Sequence, residues 1–442
     1  MRMGHLRGNV LAGFVLFLAH GQAQALPAFA EQTGQPCATC HIGAFGPHLT
    51  PFGRQFKLSG YTLRAGDFTP PVSAIAIASF LHTQKDQPAP PPPHYDVNNN
   101  ATIDYIALFL AGGFGDHVGT FSDITYDGVG RNIHWDHLDL RVVDTETLFG
   151  SDVVYGLDIN NEPTGQDVFA TLPIWGFPFT TSDLAPGPAG ATQISGKFAQ
   201  NVIGASAYAW WDSDVYAEVG LYRSLSAGML RFVGQNPEET NLIDGVAPYF
   251  RLAYQRDMGD QNFEVGTFGL FPSLFPGRDQ STGHTDDYAD VGFDASYEYL
   301  GNNENIATLN LRFTHEDQNL KASQILGAAS GNDSLDEFII NGSYYWEDIA
   351  GLSVGHFQTW GNADPLLYSG NSTFKPDTAG FIFQVDTAPF MDKQEFPVRL
   401  NLRIGLQYIA YTEFDGASRN FDGAGRNASD NNSIRLFLWA AL

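Results

Sequence analysis

The two cysteines of this 442-residue chain are Cys37 and Cys40, and His41 follows them directly. This C-x-x-C-H spacing is the attachment pattern of a c-type haem. The two thiols add to the two vinyl groups of the haem, and the neighbouring imidazole becomes the proximal ligand of the iron. A zinc site needs about four ligands, and a thioredoxin-like C-x-x-C needs a surrounding βαβ pattern that the sequence does not show. We therefore predict one covalently bound haem c.

A small helical domain, residues 26–70, is predicted to surround this haem. Thr50 and Pro51 suit the N-cap and first position of a short helix, and Gly60 suits a left-handed cap at its end. About 45 residues cannot build a sufficient apolar core alone, so we expect the haem to supply much of the missing apolar surface. The aromatic side chains expected to pack on it are Phe45, Phe52, Phe56 and Tyr61.

Polar residues near the cluster supply further candidates for haem binding. Arg54 and Lys57 lie on the predicted helix and are candidates to contact the haem propionates. No methionine lies between Met3 and Met229, which excludes a local His/Met pair of iron ligands. His48 is the nearest candidate for the distal ligand. The alternatives are His82, His94, His137 and an open iron position.

Residues 1–25 have the features of a cleaved signal peptide. Arg2 and Arg7 precede an apolar run that is too short to span a bilayer, and an A-x-A cleavage site ends at Ala25. We expect an exported mature chain that starts near Leu26. The formal net charge of −26 argues against nucleic acid as a partner and favours cations or basic proteins.

Residues 71–442 have an apolar pattern of period two. In the segment 291–299, apolar and aromatic side chains alternate with Asp294, Ser296 and Glu298. Charged residues that share one face of a long strand suit a barrel with lipid outside and water inside. A soluble sandwich would also alternate, but it rarely carries such long strands with aromatic ends. We predict a mainly β fold, an outer-membrane antiparallel β-barrel of about sixteen strands, preceded by the small α-helical cytochrome domain.

The predicted strands and their connections follow an outer-membrane pattern. The strands are expected to begin near residues 72, 103, 117, 133, 152, 200, 214, 246, 262, 288, 305, 335, 351, 378, 398 and 433. Short turns alternate with long loops, except for a short connection at 127–132, as is typical of outer-membrane barrels. The lumen arginines expected to meet wall carboxylates or the propionates are Arg141, Arg251, Arg312 and Arg403.

The stretch 27–63, PAFAEQTGQPCATCHIGAFGPHLTPFGRQFKLSGYTL, resembles the start of the fused monohaem cytochrome–porins of the bacterial outer membrane. Members of that family are best known from iron-oxidising bacteria. The resemblance implies a signal peptide (1–25), a monohaem cytochrome domain (26–70) and a porin-like barrel (71–442). It carries over Cys37 and Cys40 as the thioether residues and His41 as the proximal ligand.

The resemblance also implies transfer of single electrons across the outer membrane. Extracellular Fe(II) would be the donor and a periplasmic c-type cytochrome the acceptor, and whether this amounts to Fe(II) oxidase activity stays open. Two other functions are kept as alternatives. One is a channel that the cytochrome only plugs, and the other is a haem enzyme or sensor with an open iron position.

Overall fold

Sixteen long antiparallel strands form one closed barrel in the computed structural model. It describes residues 27–66, 71–169, 171, 179–301, 304–389 and 401–442. The predicted signal peptide and residues 67–70, the end of the predicted cytochrome domain, lie outside the described residues. The first and last strands pair with Ile75 opposite Ala441 and Thr83 opposite Ser433, which closes the barrel.

The strands have 9 to 17 residues each. They are β1 (Val72–Thr83), β2 (Asn100–Gly113), β3 (Val118–Asp127), β4 (Asn132–Leu148), β5 (Ser151–Asn160), β6 (Val202–Trp211), β7 (Val215–Ser224), β8 (Ala247–Asp257), β9 (Gln261–Leu270), β10 (Asp286–Tyr299), β11 (Asn305–Asn319), β12 (Asn332–Trp346), β13 (Ala350–Gly361), β14 (Thr378–Thr387), β15 (Asn401–Glu413) and β16 (Ser433–Ala441). Two short segments, Leu242–Ile243 and Ser273–Phe275, pair with each other in the outer connections.

The predicted strand count is confirmed, and fifteen predicted starts lie within three residues of the observed ones. The predicted start at 398 falls outside the described residues, and that strand is described from Asn401. The alternation of short and long connections is also confirmed, including the short one between β3 and β4.

The outer face of the barrel is apolar and the inner face is polar. In β10, Phe293 is 52% exposed whereas the neighbouring Asp294 is 2% exposed. The same contrast separates Leu406 from Gln407 in β15. An exposed apolar band around a closed barrel is the surface that contacts lipid, and it places the protein in the outer membrane. No helix in the described residues is long and apolar enough to cross a membrane.

Polar groups of the lumen are organised as ion pairs along the wall. The pairs are Arg141 with Asp139, Arg251 with Asp294, Arg312 with Glu337, and Arg403 with Asp386. Each of these arginines is at most 3% exposed. The expectation that lumen arginines meet wall carboxylates is therefore confirmed.

Residues 27–66, here called the plug, lie inside the barrel at the end where β1 begins. The plug has helices α1 (Pro27–Thr33), α2 (Cys37–Cys40) and α3 (Pro51–Leu58). Thr50 caps α3 by accepting a hydrogen bond from the Gly53 N–H at 3.1 Å, and Gly60 has a φ of +65° just after the helix. The predicted small helical region at the N-terminal side of the barrel is thus confirmed.

The connection between β5 and β6, here called the inner loop (residues 161–201), enters the lumen beyond the plug with its described residues. Val168 and Phe169 of this loop are buried and pack in one cluster with Leu58 of α3. Further along, the backbone N–H groups of residues 192–194 donate to wall carboxylates. The acceptors are Glu337, Glu316 and Asp290, at 3.0, 2.6 and 2.7 Å.

Candidate functional site

The C-x-x-C-H cluster opens into a cavity between the plug and the barrel wall, here called the aromatic cavity. Cys37, Cys40 and His41 all line it, and its empty space is about 1300 Å³, including the part open to solvent. The plug contributes Phe29, Phe45, Phe56 and Tyr61, and the wall contributes Ile75, Tyr105, Phe109, Phe121 and Trp439. Cys37, Cys40 and His41 therefore face a large, mostly apolar space.

Local structure brings the two thiols and the imidazole to this space. The single turn of α2 places residues i and i+3 on the same side of the helix. The His41 N–H donates to the Cys37 carbonyl at 2.9 Å and ends that turn. Gly53 allows α3 to approach closely, because a Cβ there would lie 2.2 Å from the Cys40 carbonyl oxygen.

The electrostatic surroundings favour neutral side chains around the cavity. Burial raises the pKa of Cys40 to about 12 and also raises the pKa of Cys37. Burial lowers the pKa of His41 to about 4, so its imidazole is neutral at physiological pH. Neutral imidazole is the form that binds a metal. The buried Nδ1 of His41 has no hydrogen-bond partner among the described residues.

These residues fit a covalently held haem. The thiols and the imidazole share the cavity, and the remaining wall is built of aromatic rings suited to a flat apolar macrocycle. Of the four aromatic side chains predicted to pack on haem, Phe45, Phe56 and Tyr61 line the cavity, and Phe52 does not. The wall aromatics were not predicted. For Trp439 a signal existed, because period two places it on the same inward face as Arg435 of β16.

Arg54 points away from the aromatic cavity, to the barrel wall. It is 1% exposed and makes two bonds to the carboxylate of Glu298, at 2.8 and 2.9 Å. Its other donors reach the Leu49 carbonyl, Gln255 and Asn262. The five N–H groups of the guanidinium are thus occupied within the protein, and Arg54 fixes the plug to β8, β9 and β10.

Lys57 lines the aromatic cavity, unlike Arg54. Its Nζ donates to the Gly165 carbonyl at 3.1 Å and lies 3.3 Å from Asp139 Oδ2. Burial lowers the pKa of Lys57, and the nearby Asp139 opposes that shift. Contact between Lys57 and a haem propionate stays a prediction.

His48 lies beside Arg54 and not in the aromatic cavity. Its Nε2 donates to Glu298 Oε1 at 3.1 Å. Among the described residues that line the cavity, His41 is the only histidine, and none is methionine. His82, near the end of β1, contacts Asn99, and His94 contacts Tyr95 in the first outer connection. The structure thus directs His48 to the wall, and its assignment as distal ligand stays a prediction.

A second cavity, here called the acidic cavity, adjoins the aromatic cavity. The two share the lining residues Gly46, Pro47, Tyr105, Phe109 and Trp439. Its own lining includes Asp123, Asp136, His137 and Glu162, and its empty space is about 1160 Å³, including the part open to solvent. His137, an alternative distal ligand from the sequence, therefore lies in the neighbouring cavity.

Comparisons with solved structures return porins at low similarity. An anion-selective porin from Comamonas acidovorans is 12% identical, with 84% of this chain and 98% of that chain covered and a TM-score of 0.46. The outer membrane channel DcaP of Acinetobacter baumannii is 9% identical, with 84% and 96% covered and a TM-score of 0.47. OmpF of Salmonella typhi, in complex with daunomycin, is 9% identical, with 84% and 97% covered and a TM-score of 0.48. At these TM-scores the similarities add nothing to the architecture described above.

No protein-family model and no curated protein matches the sequence. The class of protein follows from the closed barrel itself, with its apolar outer face, polar lumen and alternating connections. The chain is a sixteen-stranded outer-membrane barrel of the porin type that carries a helical plug in its lumen.

Proposed function

We propose that this barrel passes single electrons across the outer membrane through one haem c held by its plug. The donor is extracellular Fe(II), and the acceptor is a periplasmic c-type cytochrome. The observation that carries the proposal is the aromatic cavity, where both thiols and a neutral imidazole meet inside a closed barrel.

The residues of the chain have separate tasks in this proposal. Cys37 and Cys40 hold the haem covalently, and His41 provides the proximal iron ligand. Arg54 fixes the plug to the wall through Glu298. The aromatic rings would pack against the faces of the macrocycle. A haem c so held supplies one-electron redox chemistry, which matches the single-electron oxidation of Fe(II).

The position of the plug suits transfer across the membrane. Short turns mark the periplasmic end of outer-membrane barrels, and the plug lies at that end. The apolar band of such a barrel is about 25 Å tall, so a redox centre in the lumen lies closer than this height to either side. A soluble periplasmic cytochrome can therefore approach the plug, while the donor approaches from the side of the long loops.

The proposal is tested with the haem-loaded protein in liposomes that contain an oxidised soluble c-type cytochrome. Fe(II) added outside should reduce the enclosed cytochrome, because the haem connects the two sides. The double variant Cys37→Ala/Cys40→Ala is the matched control, since it keeps the barrel and loses haem attachment. Equal reduction by wild type and the double variant, or haem that dithionite reduces and Fe(II) does not, would refute the proposal.

One observation favours a haem enzyme or sensor as the second candidate function. The described lining of the aromatic cavity offers no second histidine and no methionine, so an open iron position is compatible with it. Carbon monoxide added to the reduced protein separates the two functions. A shifted absorption spectrum supports the second candidate, and an unchanged spectrum eliminates it.

A further inference from the structure

A β-bulge in the barrel wall directs two successive side chains into the lumen. In the pairing of β3 with β4, Ser122 lies opposite Leu138 and Ile124 lies opposite Trp135. Asp123 therefore faces both Asp136 and His137. A regular strand would point these two side chains to opposite sides, and the extra residue of a bulge removes that constraint. Both line the acidic cavity.

The bulge assembles metal-binding atoms at distances suited to one ion. Asp123, Asp136 and His137 each offer a ligand atom, and these atoms lie within 4.8 Å of one another. His137 Nδ1 lies 2.9 Å from Asp123 Oδ1 and 3.6 Å from Asp136 Oδ2. Adjacent ligands at about 2.1 Å from an octahedral ion are about 3.0 Å apart, so small shifts would place all three around a cation.

Glu162 of the inner loop supplies an independent sign of a ligand. It is 2% exposed and lines the same cavity, and its Oε1 accepts a bond from Thr164 at 3.1 Å. Its Oε2 accepts no hydrogen bond from the described residues, and the nearest cationic atom is His137 Nε2 at 3.9 Å. This oxygen faces the acidic cavity, so a cation, a proton or water from the cavity has to satisfy it.

Charge in the acidic cavity is also unbalanced. Asp123, Asp136 and Glu162 are three carboxylates, and His137 is the only cationic group within 4 Å of any of them in the described parts of the chain. Two buried carboxylates and one partly exposed carboxylate around a single imidazole attract a cation. A mixed set of carboxylate and imidazole ligands suits divalent first-row transition metals such as Mn²⁺ and Fe²⁺.

We propose that Asp123, Asp136, His137 and Glu162 form a binding site for one divalent transition-metal cation beside the aromatic cavity. This inference rests on the proposed function in one respect, because it makes the site the place where Fe(II) is held as electron donor. The acidic cavity shares Tyr105, Phe109 and Trp439 with the aromatic cavity. A cation held there would lie in the cavity that adjoins the aromatic cavity across these shared side chains.

Binding is measured with Mn²⁺, a stand-in for Fe(II) that does not reduce the haem, by electron paramagnetic resonance on the haem-loaded protein. We expect one saturable site in wild type and at least tenfold weaker binding in Asp136→Asn and in Glu162→Gln. Asp317→Asn is the matched control, because its side chain is 77% exposed on the outer part of β11. The proposal would be overturned if wild type showed no saturable Mn²⁺ binding. It would also be overturned if the Mn²⁺ affinity of both site variants equalled that of wild type.

Selectivity and electron entry are measured on the same proteins. An equal concentration of Mg²⁺ should displace little Mn²⁺, and full displacement would contradict a transition-metal site. Fe(II) should reduce the haem at least tenfold more slowly in Asp136→Asn, with reduction by dithionite unchanged. If Fe(II) reduced the haem of Asp136→Asn as fast as the wild-type haem, the cation site would have no role in electron entry. If Fe(II) fails to reduce even the wild-type haem, the proposed donor is wrong, and the Mn²⁺ titration still decides the cation site.

Discussion

Replacing Arg54 with methionine tests what holds the plug in the barrel. Arg54 and Glu298 are almost fully buried, and the two bonds between them join α3 to β10. Methionine keeps an apolar stem of similar length and removes the charge. We expect Arg54→Met to release the plug from its docked position, because Glu298 then loses its main partner.

The size of the effect follows from the burial of the pair. Removing one partner of a buried ion pair costs about 3–5 kcal/mol, since the other charge is left uncompensated. His48 still donates to Glu298 in the variant, which places the expected loss near the lower limit. A factor of ten corresponds to about 1.4 kcal/mol, so the undocked fraction should rise by about two orders of magnitude or more.

Conductance across planar bilayers reports the position of the plug. A barrel of sixteen strands is wide enough for an aqueous channel once the plug leaves. We expect rare openings in wild type and frequent openings in Arg54→Met. Arg256→Met is the matched control, because that arginine is 54% exposed in its ion pair with Asp214 and exposed pairs contribute little.

Two results would refute this reasoning. One is a conductance of Arg54→Met that equals the wild-type value. The other comes from the double variant Arg54→Met/Glu298→Gln. Because the second change removes the uncompensated charge, its effect should be smaller in the Arg54→Met background than alone. Simple additivity would show that the two residues are not coupled.

Two further predictions concern the plug helix and the acidic cavity. Gly53→Ala should reduce haem attachment and destabilise the plug by about 1–3 kcal/mol, because the new Cβ meets the Cys40 carbonyl. Haem staining and thermal melting check this, with Gly66→Ala, where a Cβ meets nothing within 4 Å, as the unaffected control. Burial raises the pKa of Glu162 to about 7, so a proton competes with the cation below that pH. Mn²⁺ affinity should therefore rise about tenfold from pH 6 to pH 8 in wild type and less in Glu162→Gln, and equal pH profiles would contradict the role of Glu162.

The fold could be predicted from the sequence because each strand is marked by a local residue pattern. Period two, aromatic strand ends and turn residues mark each strand of a barrel independently of its partners. The cap of α3 is equally local, since Thr50, Pro51 and Gly60 lie within one short segment.

The candidate site could be predicted only in part, because some of its contacts join residues that are far apart in the sequence. Cys37, Cys40 and His41 form a contiguous motif, whereas the partner of Arg54 and His48 is 244 residues or more away, at Glu298. No local pattern could direct these two residues to the wall instead of the haem.

The bulge did leave a trace in the sequence. Outward apolar residues change from odd positions, Ile133 and Trp135, to even positions, Leu138 and Leu140. Such a change of parity marks an extra residue in a strand, and it locates Asp136 and His137. The contribution of Glu162 could not be found in this way, because it depends on the path of the inner loop through the lumen.

The closure of β16 against β1 has a consequence for the order of assembly. Ile75 of β1 and Trp439 of β16 line the aromatic cavity from the two sides of this seam. The cavity therefore comes into existence only when the first and last strands of the chain have met around a docked plug. Closure of this seam is thus the folding step that completes the walls around whatever the plug carries.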